Sequence, residues 1–106
     1  MNKLASFSLT VDQFAIVDAI LQRFLAAHTQ VWVFGSRANG KVRRFSDLDL
    51  LMDCHGKPLP GDVLLKMAEA FDASPLPYKV DIVDWNVIPD SFKQHIQGNR
   101  LPWLPF

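Results

Sequence analysis

An apolar run, Val31-Trp-Val-Phe34, ends at Gly35-Ser36, and after ten intervening residues Asp47 and Asp49 open a second apolar run that reaches Asp53. No other feature constrains the fold as tightly. Short apolar runs bounded by turn chemistry read as strands. Side chains alternate along a strand, so Asp47 and Asp49 share one face while Leu48 and Leu50 point into the core. The second strand, over 47–53, therefore needs an apolar layer on one side and an environment that accepts two carboxylates on the other.

The surrounding sequence supplies that layer. Thr10 followed by Gln13 makes a capping box, and Phe14, Val17, Ile20, Leu21, Phe24 and Leu25 fall on one face of a helix expected over 11–28. Residues 31–35 form the first strand. His55-Gly-Lys-Pro-Leu-Pro-Gly61 is turn chemistry, followed by a helix from Asp62 to Ala73 that Ser74-Pro-Leu-Pro77 ends. Tyr78 to Trp85 is a third strand, and Asp90 to Gln97 a short helix stopped by Gly98. The order of elements implies an α/β fold, a small mixed β-sheet flanked by helices.

With 106 residues, the chain has the length of one domain, expected to span 1–106. The formal net charge of zero provides no basic field to draw it to nucleic acid or to an anionic membrane, so no direct nucleic-acid binding is expected. No apolar segment is long enough to span a bilayer, and the N-terminus lacks the apolar core of a signal peptide. The single cysteine, Cys54, excludes an internal disulfide and suits a reducing, cytoplasmic setting. His28, His55 and His95 lack metal-ligand spacing and read as surface or packing residues. The apolar ending Leu101-Pro-Trp-Leu-Pro-Phe106 contains two prolines that exclude a regular helix or a central strand. It reads two ways, as a docking patch for a partner or as a segment folded back over its own sheet.

A Gly-Ser turn or an Asp-x-Asp taken alone is commonplace. At this spacing, between apolar runs and with a third carboxylate downstream, they suit a metal-bound nucleoside triphosphate. Glycine lets backbone N–H groups approach phosphate, while the Ser36 hydroxyl and a following helical turn add donors. Two carboxylates on one strand face suit hard divalent cations held side by side. The third strand offers Asp81 and Asp84, three positions apart and therefore on opposite faces. Asp81, between Val80 and Ile82, is the candidate to join Asp47 and Asp49, and Asp84 is expected to cap the strand end or to meet solvent. Arg37 and Arg43 are candidate phosphate contacts because a guanidinium is a planar fork of donors.

Gly35-Ser36-Arg37-Ala38 with Gly40, Ser46-Asp47-Leu48-Asp49-Leu50 and Lys79-Val80-Asp81-Ile82-Val83-Asp84 resemble the signature of the nucleotidyltransferase fold superfamily. More narrowly, they resemble the minimal nucleotidyltransferases, usually found with a helical HEPN partner. The similarity covers roughly residues 10–100 and departs at Asn39, where many relatives carry a second arginine. The resemblance implies that Asp47, Asp49 and Asp81 are catalytic and hold Mg2+, two ions about 3.5–4 Å apart. It further implies that Gly35, Ser36, Arg37 and Arg43 bind the nucleotide. The implied reaction transfers a nucleoside monophosphate, AMP from ATP, to a tyrosine of a cognate HEPN toxin, which makes the chain an antitoxin. The alternative is a non-catalytic nucleotide-binding module that neutralises a helical partner by complex formation. Transfer to a small-molecule hydroxyl is a third reading, disfavoured because enzymes of that kind generally carry an added helical domain.

Overall fold

The computed structural model describes residues 7–41, 43 and 45–103. Four strands form one sheet in the order β3-β2-β1-β4: β1 is Gln30–Phe34, β2 Leu48–Asp53, β3 Val80–Asp84 and β4 Leu101–Pro102. The helices are α1 (Val11–Phe24), α2 (Ser36–Asn39), α3 (Val63–Asp72) and α4 (Asp90–Gln97), with a 3-10 turn at Trp85–Val87. β1 pairs antiparallel with β2 and with β4, and β2 pairs parallel with β3. The sheet is therefore mixed, as expected. Its parallel pair needs a crossover, and α3 supplies it.

Sequence patterning accounts for how the two faces divide. Val31 and Val33 on β1, Leu48, Leu50 and Met52 on β2, and Val80 on β3 belong to one core with Val17 and Leu21 of α1 and Met67 and Phe71 of α3. On the opposite face of β1 and β2 stand Trp32, Phe34, Asp49, Leu51 and Asp53. Leu51 is fully buried, as is Ile96 of α4, yet neither belongs to the main core. One face is thus a continuous apolar layer, and the other is covered in part and carries carboxylates.

The first helix begins where expected: the Thr10 hydroxyl accepts from the Gln13 N–H, and the Thr10 N–H donates to the Gln13 side chain. It ends at Phe24, short of the expected 28, because Thr29 closes a local turn. Its backbone N–H and its hydroxyl both donate to the Ala26 carbonyl, at 3.2 and 2.8 Å. The second strand starts at Leu48, leaving Asp47 just outside the ladder, and the third narrows to Val80–Asp84. His28 and His55, distant in sequence, meet edge to face with ring centroids 6.1 Å apart.

Residues 101–103 fold back on the sheet. Leu101 and Pro102 form the edge strand β4 against Val33 and Trp32, and the Trp103 N–H donates to the Val31 carbonyl at 2.8 Å. An edge position is where a strand can hold a proline. The Trp103 indole is 1% exposed, stacked with Phe14 at 4.5 Å and Phe7 at 5.4 Å, and its Nε1 donates to Asp18. This side chain is core, and truncating such an aromatic costs about 3–5 kcal/mol. Trp103 therefore cannot serve as a docking residue; Leu104, Pro105 and Phe106 of the proposed patch lie outside the described residues.

Candidate active site

Gly35 sits at the junction of β1 and α2 with φ 72° and ψ −154°, a backbone region open in practice to glycine alone. A second constraint acts at the same position. A Cβ there would collide with the Asp49 carboxylate, and would lie 3.3 Å from its Cγ. The turn and the acid are packed against each other, so whatever the carboxylate holds also lies beside the Gly35-Ser36 backbone. α2 is a single turn closed by Gly35, whose carbonyl accepts from the Ala38 and Asn39 N–H groups, and it ends at Gly40 in the left-handed region.

Parallel pairing places Asp81 directly beside Asp49, and antiparallel pairing places Phe34 on its other side. Strands in register are about 5 Å apart, which brings the two carboxylates into contact. Burial pushes the Asp49 carboxyl up to about 6, with Asp81 and then Asp47 adding repulsion, a proton shared with Asp81 adding more, and Lys79 opposing. Lys79 is the local counter-charge, its ammonium 3.2 Å from Asp81. Negative charge thus exceeds its compensation, and an oxygen-seeking divalent cation fits that imbalance.

Among the described residues, no three acidic, histidine or cysteine side chains converge on one point suitable for a metal. The converging pair is Asp49 and Asp81. Asp47, exposed in the loop just before β2, acts on them from farther away. Asp84 caps the strand end, one of the two expected roles, and does not meet solvent. It lies on the core side of β3, 5% exposed, and accepts from the Leu59 N–H at 2.8 Å and the Asn86 N–H at 3.0 Å.

Arg37 differs from expectation. Its side chain is 1% exposed and turned inward, with Nε donating to the Ser46 carbonyl and one terminal nitrogen donating to the carbonyls of Phe7 and Ser8. The guanidinium also lies 4.1 Å from the Tyr78 ring centroid. Burial pulls its pKa down, opposed by Tyr78 and Asp47. Carbonyls that would otherwise be unpaired inside the fold explain this position: Arg37 ties the N-terminal segment, the loop that carries Asp47 and the approach to β3. It is a clamp on the site rather than an exposed phosphate ligand. Arg43 remains exposed in the loop, where its backbone N–H donates to the Ser46 hydroxyl at 2.7 Å. Asn39 accepts from the Lys41 N–H at 3.0 Å and so shapes the loop where many relatives carry arginine.

Residues 19–101 match the sequence model of a family described as polymerase beta, nucleotidyltransferase. The chain belongs to that nucleotidyltransferase family. It is 37% identical over 97 residues to a probable protein adenylyltransferase MntA of Haemophilus influenzae, covering 92% of this chain and 83% of that protein. Solved structures share the nucleotidyltransferase fold. A toxin–antitoxin bound to AMP-PNP superposes with a TM-score of 0.71 at 20% identity, over 88% of this chain and 73% of that one. A variant of the toxin–antitoxin MntA–HpeT gives 0.69 at 18% identity, with the same coverage. The fold of this nucleotidyltransferase is thus a small mixed sheet with helices, as its sequence pattern implied.

Sequence reasoning missed three residues near the pair. Lys79 was seen only as part of a motif, although a lysine two positions before a strand carboxylate lies on the same face and can pair with it. Phe92 and His95, three apart on α4, share a helix face that points to Gly35, where they line a cleft with Phe34. That packing of α4 on the sheet is set by tertiary structure and leaves no local signal.

Proposed function

We propose that this nucleotidyltransferase moves AMP from ATP onto a hydroxyl of a protein partner, a tyrosine of a helical HEPN-type toxin, and thereby acts as its antitoxin. The observation that carries the reading is the Asp49–Asp81 pair packed under Gly35, where a carboxylate raised to about 6 abuts a backbone turn that has no space for a side chain. The similarity to a protein adenylyltransferase supports the choice of AMP and of a protein acceptor.

Asp49 and Asp81, with Asp47 from the loop, are the residues that would hold magnesium, two ions by our expectation. Bound there, magnesium supplies positive charge that offsets the triphosphate and the charge developing at the reacting phosphorus. The Gly35 turn lets the phosphates lie close to backbone, the Ser36 hydroxyl donates to them, and the exposed Arg43 reaches them from the loop. Arg37 keeps the Ser46 carbonyl, and with it Asp47, in place. The acceptor oxygen forms a bond to the α-phosphorus as the bridge to the β-phosphate breaks, and pyrophosphate leaves with that electron pair. The acceptor's proton passes to Asp81, which faces the site and is partly open to water.

The inward-turned Arg37 and the presence of Asn39 leave few cations for the triphosphate, which favours a second reading, a nucleotide-binding module that neutralises the same partner without turnover. Label transfer separates the two. With the partner and magnesium present, ATP labelled at the α-phosphate should label the partner and ATP labelled at the γ-phosphate should not. Complex formation with no label from either would establish the non-catalytic reading.

A further inference from the structure

The cleft between the end of β1 and α4 is used by nothing described so far. Its volume is about 270 Å3, and Phe34, Gly35, Asn39, Phe92, His95 and Asn99 border it. Gly35 belongs both to this cleft and to the carboxylate pair, and Phe34 is the register partner of Asp49. The cleft therefore opens directly from the reaction centre on the same face of the sheet.

We propose that this cleft is the nucleobase subsite and that it selects adenine through Asn99 and His95; the inference rests on the nucleotidyl-transfer reading above. Ligand pockets run from about 300 to 1,000 Å3, so a cleft just below that range holds one ring system rather than a whole nucleotide. The triphosphate then lies outside it, at Gly35-Ser36.

Two walls are aromatic. Phe34 and Phe92 meet edge to face at 6.4 Å, and Phe92 is 42% exposed, which leaves ring surface for a planar base to stack on. The rim is polar. Phe92 and His95 are three residues apart on α4, and Asn99 follows just past its end, held there by its backbone N–H donating to the Ile96 carbonyl at 2.9 Å. Among the described residues the His95 imidazole and the Asn99 carboxamide make no hydrogen bond, and both are exposed. A carboxamide matches the adjacent donor and acceptor on the edge of adenine. Asn39 closes the side nearest the phosphates, its side-chain oxygen accepting from the Lys41 N–H.

The competing occupant is the aromatic ring of the acceptor. A phenol carries a single polar atom, and that atom must reach the α-phosphorus, so Asn99 and His95 would face a ring edge with nothing to bind. Adenine satisfies both.

The test is titration calorimetry of the full chain with magnesium present, using ATP and inorganic triphosphate as probes, on the wild type, Asn99→Ala and Phe92→Leu. Both variants alter exposed side chains, and a thermal melt verifies their folding. Asn99→Ala should weaken ATP binding about tenfold, the worth of one well-placed hydrogen bond to a base, and should narrow the preference for ATP over UTP. Its affinity for inorganic triphosphate should not change. Unchanged ATP affinity in both variants would overturn the subsite. If transfer to the partner falls while ATP affinity holds, the cleft houses the acceptor and the assignment to the base is wrong. A wild type that binds neither probe would overturn the nucleotide reading itself, a result distinguishable from loss of the subsite alone.

Discussion

Asp49 and Leu50 are neighbours on β2 that face opposite ways, and their surroundings have little in common. Leu50 is fully buried in a layer of valine, leucine and methionine closed by α1 and α3. Every atom there has a partner, and dispersion and exclusion of water hold it together. Asp49 is half-buried beside two like charges and one lysine, with its pKa raised to about 6. One face stores stability, and the other spends some of it holding charge in excess. The contrast with Arg37 points the same way. That charge is more deeply buried than Asp49, yet three carbonyls and an aromatic ring engage it and leave one terminal nitrogen without a hydrogen-bond partner among the described residues. A buried charge given partners is structural; a charge left short of partners is kept for a ligand.

The sharpest way to break this comparison is to exchange the two kinds of loss. Asp49→Asn should lower transfer about 10³-fold, the equivalent of roughly 4 kcal/mol in the barrier, while the melting temperature at neutral pH does not fall. Steady-state label transfer and a thermal melt on the same preparation check it. Leu50→Ala should do the opposite. It should lose about 2–5 kcal/mol of stability in urea unfolding, and the fraction that stays folded should keep its transfer rate. A loss of activity in folded Leu50→Ala as large as that in Asp49→Asn would mean the two faces are not separable.

Smaller effects sharpen the boundary. Asp84→Asn should keep most of its transfer activity but lose about 1–3 kcal/mol of stability, because an amide nitrogen would then meet one of two backbone donors. The smallest expected effect is a pH dependence. The carboxyl of Asp49 binds its proton at about 6 when folded, above its ordinary 3.8, so the folded state is the better proton acceptor between those values. Stability should therefore rise as pH falls from above 6 toward 4, by about 1 kcal/mol once solvent screening is allowed for. That part of the profile should be absent in Asp49→Asn. Urea midpoints across this range measure it.

What could be read from the sequence followed from period and spacing. Asp81 and Asp84, three apart on a strand, had to separate, and the register matches that inference; Asp47 and Asp49 were expected to share a strand face, but the strand starts at Leu48 and Asp47 falls in the loop before it. The capping box at Thr10 and the glycine at the β1–α2 junction were equally local. Long-range geometry was not readable. Nothing near Arg37 in sequence shows that the Phe7 and Ser8 carbonyls would need it, so a loop arginine beside a Gly-Ser turn reads as a phosphate contact. Trp103 faced the same limit, since its stacking partners Phe7 and Phe14 lie at the other end of the chain. The meeting of His28 with His55 and the placement of Phe92, His95 and Asn99 beside Gly35 arise only when separate elements pack. Among the described residues no third carboxylate converges on Asp49 and Asp81, because Asp47 lies one residue outside the ladder, where alternation no longer fixes its direction.

The central claim is that the acidic face of the sheet transfers a nucleotide and the apolar face only supports it. Intact-mass spectrometry of the proposed HEPN-type partner, incubated with ATP, magnesium and either wild-type chain or Asp49→Asn, tests it most directly. The wild type should leave an AMP-sized addition on the partner and the variant none, although both should bind it. The same addition by folded Asp49→Asn, or none by a wild type that forms the complex, would contradict the claim.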